Sequence, residues 1–168
     1  MSVKDLEDLL DLVKSAIEND FQAAIDAVNA EKGAQPGEPL YLEPPQQIFI
    51  GARFYDLKIE DGKPTVVIEP LSPDKIEISD NGKWWEFAGR LAVRLELRAK
   101  DQDILAKKLL RYGRALRKVL RDNFAVAVDD RKAVKALFVR RGAITQGKYG
   151  STFAGEVTYE IEATFVEG

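Results

Sequence analysis

Between Gly142 and Lys148 the chain reads GAITQGK, which fits the G-x-x-x-x-G-K spacing of a phosphate-binding loop. In such a loop a Ser or Thr follows the lysine to reach a Mg²⁺ ion, and a helix starts there with its N-terminus toward the phosphates. Here Tyr149 follows the lysine, and the next patterned segment, 157–165, alternates apolar and polar residues as a strand does. No strand ending in Asp stands out as a partner for the metal. The spacing therefore predicts a strand–strand loop over 142–151, with a glycine-rich tip suited to docking on a partner. Its candidate contact residues are Gly142, Gln146, Gly147, Lys148, Tyr149 and Gly150.

The other chemistry is sparse. The chain has no histidine and no cysteine, which removes Ser-His and Cys-His nucleophilic sites, histidine metal motifs, thiol chemistry and disulfides. Asp101 and Asp103 are accounted for as the cap and first turn of a helix, and Asp129-Asp130 sit in a polar turn. We expect no catalytic residue, no metal and no cofactor, and so a protein that is not an enzyme.

One constellation remains. Lys107, Arg111, Arg114, Lys118 and Arg121 follow one another at spacings that, at 3.6 residues per turn, form a straight basic stripe. Leu105, Leu109, Tyr112, Leu116, Val119 and Leu120 fall on the opposite face of the same helix, about 30 Å long. Five cations in a row could follow a phosphate backbone, but no aromatic residues interleave with them to stack bases. A solvated face, a protein contact and a nucleic-acid surface all fit.

The helix is fed by a strand. Leu91, Val93, Leu95 and Leu97 alternate with Arg90, Arg94, Glu96 and Arg98, the period of a half-buried strand. At the far end of the chain Val157, Tyr159, Ile161, Ala163 and Phe165 alternate with Thr158, Glu160, Glu162 and Thr164. One polar side is mostly basic and the other acidic. Opposed charges on adjacent strands favour pairing, so these two strands are expected to be neighbours in one mainly antiparallel sheet.

The remaining chain is read around this pair. Residues 2–30 form an amphipathic helix, with Ser2 as cap, Asp5 in the capping-box position and Gly33 just past its end. All seven prolines fall between Pro36 and Pro73, which marks 34–87 as an irregular, hairpin-containing periphery. Asp61-Gly62 between 54–60 and 65–69 signals one hairpin, and Asp80-Asn81-Gly82 between 75–79 and 84–87 a second. Asp80, Asn81, Gly82, Trp84 and Trp85 form a second candidate docking loop, the tryptophans pointing to opposite faces if extended. Asn123 is placed to end the basic helix; 124–128 is an apolar run of undecided type, and 134–141 a strand.

A single domain over 1–168 follows, of α+β class: a mainly antiparallel sheet with a long N-terminal helix and a central amphipathic helix packed on one face. Charge is unevenly shared. Residues 1–88 carry 8 Lys and Arg against 18 Asp and Glu, residues 89–168 carry 17 against 10. Such halves suit one another, within a subunit or between copies, better than they identify a nucleic-acid partner. The first residues, MSVKDLEDLLDLVK, read neither as a signal peptide nor as a membrane span.

An acidic leading helix, a hairpin-rich middle, an Arg-alternating strand with an acidic cap, the segment LLRYGRALRKVL and a final alternating strand together resemble the tail terminator proteins of long-tailed bacteriophages. These are also called tail completion or tail-to-head joining proteins. The resemblance covers roughly 1–30 and 88–166 and is one of pattern, without a diagnostic short motif. It implies a hexameric ring that caps the tail tube, ends its polymerisation and joins it to the head connector, surrounding the DNA without reading its sequence. It further implies partners in the tail tube protein and the connector or stopper protein, no membrane, and a place at the tail–head junction of the virion after assembly in the host cytoplasm. On that basis the five stripe cations are candidate subunit-interface or lumen-facing residues. Alternatives are another neck component, a terminator of a contractile injection apparatus, or a nucleic-acid-binding module using the basic stripe.

Overall fold

A computed structural model describes residues 5–51, 62–78, 85–127 and 134–167. The element order is α1 (Leu6–Lys32), β1 (Gln47–Ile50), β2 (Thr65–Ile78), β3 (Trp85–Ala99), α2 (Gln102–Ala127), β4 (Val134–Tyr149) and β5 (Thr152–Glu167). The strands form one sheet in the order β1-β2-β3-β5-β4, with β1 parallel to β2 and every other pair antiparallel. The α+β class with both helices on one face is what the patterning requires.

Each helix starts where a side chain replaces a missing backbone partner. At α1 the cap is Asp5, whose Oδ1 accepts the N–H of Asp8 at 2.9 Å. Ser2, the expected cap, lies outside the described residues. Gly33 ends α1 in the left-handed conformation (φ 63°), its N–H donating to the carbonyl of Ala30. At α2 the N–H of Ile104 donates to Oδ1 of Asp101 at 3.0 Å. The expected stop at Asn123 is overrun and α2 continues to Ala127, taking in the start of the apolar run. Asn123 instead turns its Nδ2 back to the carbonyl of Val119 and across to Asp20 of α1.

The core lies between the helices and one face of the sheet. Leu91, Val93, Leu95 and Leu97 of β3, Val66 and Ile68 of β2, and Val157 and Ile161 of β5 are fully or almost fully buried there. They meet Leu9, Val13, Ile17, Phe21 and Ile25 of α1 and Leu105, Leu109, Leu116 and Leu120 of α2. The buried stripe of α2 is the one its periodicity marks out. α2 crosses β5 at close range because glycines stand at the crossing. The hydroxyl of Tyr159 donates to the carbonyl of Gly113 at 2.8 Å, and a Cβ on Gly155 would lie 2.5 Å from Leu109 Cδ1 and 2.9 Å from the carbonyl oxygen of Thr145.

Three expectations are corrected. The proline-bearing zone is not all periphery: β2 is an interior strand, with Val66, Val67 and Ile68 buried. Proline is tolerated in it because β1 spans only Gln47–Ile50 and pairs with 65–68, so Pro70 and Pro73 fall where β2 has no neighbour on that side among the described residues, next to a register shift between Leu71 and Lys75. The first hairpin is replaced by the parallel β1–β2 pair, residues 54–60 lying outside the described residues. And 142–151 is not a loop. β4 runs through it to Tyr149, leaving only Gly150-Ser151 as the turn into β5. The second hairpin is present as β2–β3, in register from Ile78 opposite Trp85.

Candidate functional site

The helices run antiparallel, and the acidic face of the first meets the basic face of the second. Arg114 donates through Nη1 and Nη2 to the two carboxylate oxygens of Glu31, both at 2.7 Å. The hydrogen bonds from Arg114 hold the Glu31 carboxyl below its ordinary range, and the same pairing raises the guanidinium. One turn earlier Arg111, half-buried, donates to the carbonyl of Leu40 at 2.9 Å, and the buried Tyr112 hydroxyl to the carbonyl of Glu43 at 2.7 Å. Burial, chiefly, pushes the Tyr112 phenol far up, so it stays a donor at any physiological pH.

The basic stripe thus divides. Arg111 and Arg114 are spent on pinning α1 and the 33–46 connection to α2. Lys118 and Arg121 share Asp122, whose carboxyl they hold down by hydrogen bonds. Lys107 is exposed without a partner among the described residues. Between the helices lies a groove of about 270 Å³. Its floor includes Ala24, Val28 and Ala115, and its walls include Glu31, Lys118 and Arg121.

Sequence reasoning missed two groups near this surface. Asn29 is 4% exposed inside α1, and its amide acts as a two-way peptide: Nδ2 donates to the carbonyl of Leu42 at 3.0 Å and Oδ1 accepts the N–H of Leu42 at 2.9 Å. A polar residue on an apolar helical stripe was the only signal for it. Lys108, 6% exposed on α2, lies 3.8 Å from where a Cβ of Gly62 would be. Burial lowers its pKa, and the charge of Glu43 opposes that shift.

The face of the sheet away from the helices is charged. Arg94 donates through Nε to Glu69 of β2 at 2.8 Å and through Nη1 to Glu156 of β5 at 3.4 Å, tying three strands together. Burial works against its charge, but the Glu69 hydrogen bond and the charges of Glu69, Glu156 and Glu96 raise its pKa overall. The expected β3–β5 partnership is present, with Arg90 directly opposite Glu162. Glu96 stands opposite Glu156, a like-charge pair with Arg94 beside it.

The second candidate surface is the β4–β5 hairpin. Residues 142–148 are all exposed, and Ile144 is 45% exposed. Among the described residues β4 has no neighbour on its outer side. Gly142, Gln146, Gly147, Lys148 and Tyr149 are therefore strand residues of an open edge, and Gly150 belongs to the turn. The phosphate-loop reading of Gly142–Lys148 ends here, since a strand offers no row of converging N–H groups. Asp80, Asn81, Gly82 and Trp84 lie outside the described residues, and Trp85 opens β3.

Among the described residues no group of three His, Cys, Asp or Glu side chains is placed to hold a metal ion, and no helix is long and apolar enough to cross a membrane. Comparison of the chain with protein-family models and with curated proteins finds no match.

Proposed function

We propose that this chain is a structural subunit of a bacteriophage tail–head junction. Copies join into a ring that caps the tail tube, stops its growth and presents its other side to the head connector. The partners are then further copies of the chain, the tail tube protein and the connector or stopper protein. DNA passes through the ring, and the subunit performs no catalysis. The order of patterned segments described above supports the resemblance.

The observation that carries the assembly role is the β4–β5 hairpin. An outer strand that is open along its edge among the described residues, and exposed from 142 to 148, is normally protected by charge, proline or a bulge. Over 142–149 it has one charged residue, Lys148, and no proline, and the pairing with β5 runs without a register shift. Such an edge is suited to contact with another molecule.

Polymerising tail tube protein in the presence of this chain tests the proposal. Tubes of limited length with a ring at one end, seen by electron microscopy, are the expected result. Tubes of unrestricted length with bare ends would contradict it. Ile144→Lys, on the exposed strand, should leave the thermal unfolding of the subunit unchanged and weaken capping.

A further inference from the structure

The inter-helix groove has an excess of positive charge that the described residues do not neutralise. Lys118 and Arg121 share one carboxylate, Asp122, and Arg117, which also lines the groove, is exposed with no hydrogen-bond or ion-pair partner among the described residues. Its alanine floor leaves room for another backbone to approach. The carboxylates that α1 turns toward α2 are already occupied, Glu31 by Arg114 and Asp20 by Asn123. Farther along α1, Lys14 and Glu18 form a pair of their own.

The N-terminal turns of α1 are different. Glu7 and Asp11 are exposed and have no partner among the described residues. The contact between Asp20 and Asn123 fixes where they lie. Asn123 is near the end of α2, which stops at Ala127. Glu7 and Asp11 are roughly 14–20 Å further along α1 from Asp20, at 1.5 Å per residue, and so stand past the end of α2. Asp11 is also roughly 24 Å along the helix from Ala27 in the groove. The acidic turns and the basic groove of one subunit are therefore separate surfaces that cannot meet each other.

We infer that the groove beside Lys118 and Arg121 is the seat for the acidic N-terminal turns of α1 of a second copy of this chain. The inference rests on the ring reading only for the number of copies; the contact itself follows from charge and separation. Two different surfaces that complement one another make a head-to-tail contact, the kind that closes into rings. A continuous phosphate backbone is a poorer occupant. A phosphate track would run along both walls and meet Glu31 on the α1 side, whereas a single helix end can sit beside Lys118 and Arg121 alone.

Charge exchange tests the seat. Native mass spectrometry and sedimentation are run on the unaltered chain, on Lys118→Glu with Arg121→Glu, on Glu7→Lys with Asp11→Lys, and on all four together. All the altered side chains are exposed, and circular dichroism melting checks each fold. Each pair should weaken self-association by roughly tenfold or more, and the four together should recover most of it. Association untouched by either pair would overturn the seat while leaving the ring reading standing. Loss without recovery would show that these two surfaces are not partners. A chain that stays monomeric at every concentration overturns the seat as well. A charge-dependent dimer would support the seat and contradict the ring.

Discussion

Arg114 of α2 holds Glu31 of α1 by both ends of its guanidinium, each N–H donating to its own carboxylate oxygen at 2.7 Å. This contact is where the acidic first half of the chain meets the basic second half. It accounts for part of the charge asymmetry inside one subunit; among the charges that have no partner among the described residues are Glu7 and Asp11 on α1, and Lys107 and Arg117 on α2.

The pairing has a pH signature. The carboxyl of Glu31 is depressed by its hydrogen bonds to Arg114, so its contribution to stability is present above the usual glutamate range and is lost as pH falls through its lowered value. Carbon-detected NMR titration should place Glu31 below the ordinary glutamate range. In Arg114→Gln it should return to the ordinary range.

Asn29 should be among the least replaceable polar residues. Asn29→Ala leaves both the N–H and the carbonyl of Leu42 buried without partners, at a cost of about 2–3 kcal/mol. Asn29→Asp keeps the acceptor but loses the donor and buries a charge. Both should lower the urea midpoint of unfolding, with an unchanged slope.

The glycines of the β4–β5 hairpin should separate cleanly. A Cβ at Gly155 would press on Leu109 and on the carbonyl of Thr145, so Gly155→Ala should destabilise by about 1–3 kcal/mol. Gly147 has nothing within 4 Å of an added Cβ, and Gly147→Ala should be neutral or slightly stabilising. Chemical denaturation of the two variants side by side checks this.

Lys108 bears the cost of burial while charged. Its folded pKa is depressed, so the unfolded chain binds more protons between the folded value and the ordinary lysine value. Stability from this group therefore rises as pH climbs through that window. Lys108→Met should raise the melting temperature at neutral pH and remove this rise.

Much of the architecture was legible because its signals were local. The change from period 2 in Arg90–Arg98 to period 3.6 after Asp101 marks β3, the cap and α2, and the complementary charges of β3 and β5 identify them as neighbours. Gly33 marks a helix stop because a left-handed terminus favours glycine. Elsewhere the deciding contact was distant in sequence. Three glycines in 142–150 look like a loop, but Gly142 is a strand residue paired with Tyr159, whose ring leaves no room for a Cβ there. Pro70 and Pro73 suggest periphery, yet β2 is interior because β1, distant in sequence, pairs with it at 65–68. Asn123 resembles a stop until Asp20 on α1 gives its side chain a partner. The stripe of five cations was visible, but its division into spent and unspent charges needed α1 and the carbonyl of Leu40 in place.

The ring is tested most directly by the mass of the unaltered chain in solution, measured by native mass spectrometry and light scattering from micromolar to millimolar concentration at low and moderate salt. A closed assembly of six copies, about 113 kDa from a subunit of 18.8 kDa, that forms with rising concentration and loosens with salt is the predicted result. A single species of 18.8 kDa over the whole range, or a mass that grows without a limit, would contradict it.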